Sequence, residues 1–240
     1  MYDDLRNFFV ECVLADHDAY EEARSLKEAG LSIDLRLAVH ACTSMFHMAD
    51  HVFKESPSSV VPFAFTSLGD YQKHLIGICP GFQVVRDCAN AHKHRVLTRG
   101  RPLISSVAAL QELAVITQYE DSDGPYSIAE KEVRATLNDG SVAKLHEALR
   151  SVRDMWWGEL LRLGVIAQIP PAAPAKPFPP AREQPGPSAY LGFRLRKGER
   201  FSQTLVLQKF NYTTMQAELV DLTGYTAGMR MYEAPKSNEP

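Results

Sequence analysis

The chain has little cysteine, no long apolar run and no excess of one charge. Its four cysteines, Cys12, Cys42, Cys79 and Cys88, stand in 240 residues without a CxxC pair. That spacing excludes a disulfide-stapled mini-domain, makes a weak zinc pattern and fits buried thiols in a reducing cytoplasm. Apolar stretches are short and interrupted by charge, so no segment is expected to span a bilayer. The opening MYDDLRNFFVEC has two aspartates where a secretory signal needs a basic lead into an apolar stretch. Lys plus Arg number 26 against 29 for Asp plus Glu, a net charge of −3. This argues against a surface coated in positive charge and leaves room for a local basic patch. Phosphate loops of the Walker or dinucleotide kind are missing, as is a GxSxG elbow, and no cysteine has a catalytic setting.

What is present is helical periodicity. Residues 3 to 29 carry an apolar face of Leu5, Phe8, Phe9, Cys12 and Val13, followed by a charged run. Residues 33 to 54 form the clearest amphipathic pattern, with Leu35, Ala38, Cys42, Met45, Phe46, Ala49 and Phe53 on one side. A third helix is expected over 64 to 77, and Pro80 opens a fourth. Residues 107 to 118 are ambiguous between helix and strand. Asn138-Asp139-Gly140 predicts a hairpin within 131 to 145. Leu145, Leu149, Val152, Trp156, Leu160 and Leu163 then recur at helical steps up to Gly164. Residues 170 to 187 hold eight of the fifteen prolines, a composition for an extended linker. Beyond it lies a short β-prone tail with Arg194, Arg196, Lys197 and Arg200 among aromatic residues.

The expectation is a mainly α chain: a helical bundle of about four or five helices over 1–166 with a β-hairpin insertion near 131–145. A proline-rich linker over 167–188 and a small C-terminal β tail over 189–240 follow.

Two polar constellations stand out. On the segment after Pro80, Arg86, Asn90, Lys93 and His94 fall within about 100° of one helical face. Asp87, His92 and Arg95 lie among them. A guanidinium beside an imidazole suits phosphoryl chemistry, since Arg holds a phosphate through paired N–H groups and His moves a proton near neutral pH. On the segment 33–54, His40, His47 and His51 lie within about 20° of one line. His47 and His51 are spaced to share a metal ion or to line a phosphate-binding groove with Arg86.

Arg86-Asp87 followed after four further residues by His92, on a helix of a small bundle, resembles the HEPN superfamily. The resemblance implies a metal-independent endoribonuclease or RNA-binding protein without a cofactor, of the kind found in toxin and defence systems, and a homodimer in which two such motifs line one cleft. In it Arg86 would hold the phosphate, His92 or His94 would move the proton, and Asn90 with Asp87 would orient them. Lys93, Arg95, His47 and His51 would bind substrate. Two other readings stand beside it: a noncatalytic interaction module that meets a protein partner through the C-terminal β tail, and a metal-binding bundle whose histidine spacing is similar to that of DinB-like proteins.

Overall fold

A computed structural model describes residues 3–26, 28–29, 33–55, 65–94, 96–97, 101–168, 192–193, 204–211 and 216–220. Arg95, the proline-rich segment and the basic group Arg194, Arg196, Lys197 and Arg200 lie outside these residues.

The fold is mainly α, with helices α1 (Asp3–Phe8), α2 (Ala15–Ser25), α3 (Ile33–Glu55), α4 (Leu68–Ile78), α5 (Gly81–His94) and α6 (Leu145–Arg162). Phe9–Leu14 joins α1 to α2 as a π-helical stretch, so the N-terminal run is one continuous helical rod that ends at Ser25, four residues before the expected limit. Ser67 caps α4: its hydroxyl accepts from the Asp70 N–H at 3.1 Å and donates to the Asp70 carboxylate at 2.7 Å. Gly164, at φ +70°, closes α6. There the Val165 N–H reaches the Leu160 carbonyl at 2.9 Å and the Gly164 N–H the Leu161 carbonyl at 3.0 Å.

The β structure exceeds the inserted hairpin and the small C-terminal tail that the sequence suggests. Strands β2 (Leu110–Asp121) and β3 (Gly124–Thr136) make a long antiparallel hairpin, which resolves the ambiguous 107–118 stretch as strand. The Asn138-Asp139-Gly140 turn joins β3 to the short β4 (Val142–Lys144). β6 (Thr204–Asn211) pairs in parallel with β2, and β7 (Gln216–Leu219) pairs antiparallel with β6. The sheet order is therefore β4-β3-β2-β6-β7, and the tail strands β6 and β7 share one sheet with the β2–β3 hairpin. A two-residue parallel pair, β1 (Glu28–Ala29) with β5 (Gly192–Phe193), also ties the tail to the helical part.

The core lies between α3, α5 and α6 and continues onto β3. Trp156 is fully buried and donates its indole N–H to the Met45 carbonyl at 3.0 Å. Phe82 links α3 to α6, with ring centroids 6.3 Å from Phe46 and 6.1 Å from Trp156. Trp157 packs edge-on against Phe9 at 4.8 Å, so the second tryptophan meets the N-terminal rod. Among the described residues, no helix is long and apolar enough to cross a membrane.

Candidate functional site

α5 is a regular helix through His94. Its inner side buries Phe82, Val84, Val85, Cys88 and Ala91. Asp87 is also buried, and its carboxylate is saturated. One oxygen takes Arg86 Nε at 2.9 Å and Nη2 at 2.8 Å, and the other takes the Leu103 N–H at 2.6 Å. Leu103 in turn accepts from the Asn138 N–H at 2.8 Å through its carbonyl, and the Asn138 side chain donates to the Pro102 carbonyl at 2.7 Å. Asp87 thus fixes the Arg86 fork on one edge and moors the segment after α5 to the β3–β4 turn. His92, Lys93 and His94 are exposed in the last turn, where cations are favoured by the helix dipole.

Arg86 and His92 do not converge within one chain. Six residues of regular helix separate them by about 120° of rotation and about 9 Å of rise. His94 lies closer to the Arg86 direction, at about 80°.

α3 runs antiparallel to α5. Phe46 faces Phe82, and the Cys42 thiol lies beside Cys88, with its pKa pushed well up by that neighbour first and by burial second. This register sets Thr43 level with Arg86, His40 with Asn90, and Arg36 with Lys93. His47 lies about 6 Å and His51 about 12 Å further along, toward the start of α5. The polar stripe of α3 (Arg36, His40, Thr43, His47) stands about 110° round the helix from its contact with α5. The stripe of α5 (Gln83, Arg86, Asn90, Lys93) stands about 120° from its contact with α3, in the same rotational sense. Antiparallel helices convert a shared sense into a shared side, so both stripes line one face.

His47 and His51 are locally engaged. His47 Nδ1 is 3.0 Å from Asp50 Oδ2, and the His51 ring stacks on Phe8 at 3.9 Å with its Nδ1 3.9 Å from Glu55. Among the described residues no group of three or more His, Cys, Asp or Glu side chains is arranged to hold a metal ion.

The sequence passed over two further features. An open cleft of about 720 Å³ lies where the α4–α5 corner meets α6, lined by Cys79, Pro80, Gly81, Asp154, Met155 and Glu159 among others. Glu159 is occupied there by Arg162 at 2.7 and 2.8 Å and by the Tyr71 hydroxyl at 3.2 Å. None of the sequence-predicted site residues lines this cleft.

The second feature is the inward stripe of α2. His17, Tyr20, Glu21 and Arg24, at helical spacing, turn toward β3 and the start of α6. There the ion pair Lys131–Asp34 (2.9 Å) is buried and Glu132 takes Arg134 and Lys144. His17 Nε2, Tyr20 Oη, Arg24 Nε and His146 Nδ1 are buried without a hydrogen-bond partner. Burial, reinforced by the Arg24 charge, pushes the His146 pKa down to about 4, and burial raises the Asp34 and Glu112 carboxyls. The signal was available as an i, i+3, i+4, i+7 polar pattern continuing the Leu5–Phe9–Val13 face.

Comparison with family models, curated proteins and solved structures found no match for this chain.

Proposed function

We propose that the chain is an RNA-binding protein of HEPN-like type, its helices forming the bundle and the shared α3–α5 face receiving the phosphate backbone. The observation that carries this reading is the setting of Arg86. Buried Asp87 grips its Nε edge and orients the guanidinium, and the remaining N–H groups stay available for a phosphate. Asn90 and Lys93 continue the same stripe, with His92 and His94 at its end. Because Arg86 and His92 diverge on one helix, cleavage requires Arg86 of one copy and a histidine of a second copy to meet at one phosphate, which is the reason to expect a homodimer. The reaction would be attack of the ribose 2′-hydroxyl on the adjacent 3′-phosphate, with histidine accepting the hydroxyl proton and Arg86 stabilising the added charge; the bond from phosphorus to the 5′-oxygen of the next nucleotide breaks, and that oxygen leaves with a proton from the imidazolium or water, giving a 2′,3′-cyclic phosphate and a 5′-hydroxyl.

The test is RNA cleavage in EDTA by wild type and by Arg86→Ala. Cleavage by the wild type that falls at least tenfold in the variant supports the catalytic reading. Equal rates would end it.

A second reading is favoured by the sheet edge. Among the described residues β7 is the outermost strand beyond β6, and Leu219 is 74% exposed, so this edge could accept an added strand from a protein partner. Substituting Leu219→Lys should abolish such docking while leaving RNA binding unchanged.

A further inference from the structure

The sequence pointed to His47 and His51 as the α3 contribution to a phosphate-binding groove, but the register places other side chains opposite α5. His40 is level with Asn90 and Arg36 with Lys93, on the same face of the helix pair, and Arg36, His40 and Lys93 are all exposed. His47 and His51 sit about two and three turns beyond His40, and each has an acid beside it.

Ion pairing is uneven among the cations of the described residues. Arg24, Lys73, Arg86, Lys131, Arg134, Lys144, Arg153 and Arg162 each have a carboxylate partner. Among the described residues Arg6, Arg36, Lys54, Lys93, Arg101 and Arg150 have none; of these, Arg36 and Lys93 stand level with each other on the α3–α5 face, with His40, His92 and His94 beside them. The nearby acids are already committed: Asp87 to Arg86 and Leu103, Asp34 to Lys131, Asp50 to His47, and half-buried Glu112 to the Leu35 N–H. Two exposed cations level with each other on one face and without carboxylate partners concentrate positive potential, which a polyanion relieves, and the neighbouring imidazoles add hydrogen-bond donors.

We infer that Arg36 and His40 form a second row of phosphate contacts, so that a single-stranded RNA backbone lies along the α3–α5 face between Arg36–His40 on one helix and Asn90–Lys93 on the other. This rests on the RNA-binding reading above and adds to it the residues of α3 that hold the strand. Arg36 supplies paired N–H donors to one phosphate, His40 a single donor to the next, and Lys93 a compact charge facing them. Such contacts position the strand without reading its bases, so sequence preference is not expected from this row.

The experiment is fluorescence anisotropy of the full chain with two probes, a mixed-sequence single-stranded RNA and a linear inorganic polyphosphate, each titrated at several salt concentrations. The variants are Arg36→Ala, His40→Ala, Lys93→Ala and, as a control, Lys54→Ala. Lys54 is an exposed lysine on the same helix, beyond His51 and away from Lys93. Arg36→Ala is expected to weaken RNA binding about five- to tenfold and to make the slope of log K against log salt shallower by about 0.7, the value for one lost phosphate contact on a single strand. His40→Ala should weaken it about two- to fivefold, and Lys54→Ala should change nothing. If Lys93→Ala weakens RNA binding and neither α3 variant does, the second row is wrong and the α5 reading survives. An equal effect of Lys54→Ala reduces the result to net charge and overturns the placement. Binding of polyphosphate but not RNA, with Arg36 dependence, keeps the two-row anion site and removes the RNA reading. Binding of neither probe removes both.

Discussion

Asp87→Ala is the sharpest probe of how α5 is held. Asp87 is 2% exposed and receives three N–H groups, at 2.6 Å from Leu103 and at 2.9 and 2.8 Å from Arg86. Truncation leaves the Leu103 N–H without its acceptor, and a hydrogen bond to a charged group contributes about 1.5–3 kcal/mol. It also leaves a guanidinium whose side chain is only 20% exposed without its counter-charge. Breaking a buried pair in this way costs about 3–5 kcal/mol. Arg86 can swing toward water, so the expected loss is near the lower end, about 3 kcal/mol. Asp87→Asn keeps an acceptor for Leu103 and should cost about 1–2 kcal/mol. Urea unfolding of wild type, Asp87→Ala, Asp87→Asn, Arg86→Ala and the double variant Arg86→Ala/Asp87→Ala measures these terms, with an Arg86–Asp87 coupling of about 1–3 kcal/mol. A loss below about 1 kcal/mol for Asp87→Ala, together with no coupling, would refute the argument that this carboxylate moors the end of α5 and orients Arg86.

The other predictions concern the interior. His146 has its pKa pushed from 6.5 down to about 4 by burial and by Arg24, against the opposing pull of Glu132, Glu147 and Glu21. As pH falls from 6.5 to about 4, the unfolded chain takes up a proton that the folded chain refuses. Stability from this group is therefore complete above that window and falls by about 3 kcal/mol across it. Asp34 and Glu112, with raised pKa values, act in the opposite sense, so the check is the difference between wild type and His146→Gln in urea midpoint against pH; a flat difference would contradict the burial argument. Tyr20→Phe removes a buried hydroxyl without a partner and should leave stability unchanged or raise it by up to about 1 kcal/mol, read by thermal unfolding; a loss above about 1 kcal/mol would mean that the hydroxyl is satisfied. Trp156→Phe deletes the bond to the Met45 carbonyl and leaves a void between α3 and α6, for an expected loss of about 2–3 kcal/mol in urea unfolding; a loss under about 1 kcal/mol would place the ring outside the core.

The helices were the most legible part of the chain because their burial is one-sided. All six apolar residues read from the periodicity of α6 are buried, and on α3 Ala38, Cys42, Met45 and Ala49 are buried while Leu35, Phe46 and Phe53 pack at the margin. Gly164 was readable as a stop because a left-handed residue is needed there. The sheet was less legible. β2 lies between β3 and β6, so Leu113, Ala114 and Val115 are buried in succession and simple alternation is lost. Its parallel partner β6 comes about ninety residues later, a pairing for which local sequence carries no signal. At the candidate site, the wheel correctly grouped Arg86, Asn90 and Lys93, since α5 is regular. It could not supply the register against α3, which the packing of Phe46 on Phe82 and Cys42 on Cys88 decides. The inner stripe of α2 escaped notice because a charged run is usually solvated, whereas here it faces other charges inside the fold.

The most direct test is photo-crosslinking of the full chain to single-stranded RNA carrying 4-thiouridine, followed by peptide mass spectrometry. Cross-links confined to residues 36–47 and 83–94 are the predicted result. Cross-links on the cleft between the α4–α5 corner and α6, on the β6–β7 edge, or nowhere would contradict the assignment of the α3–α5 face to RNA.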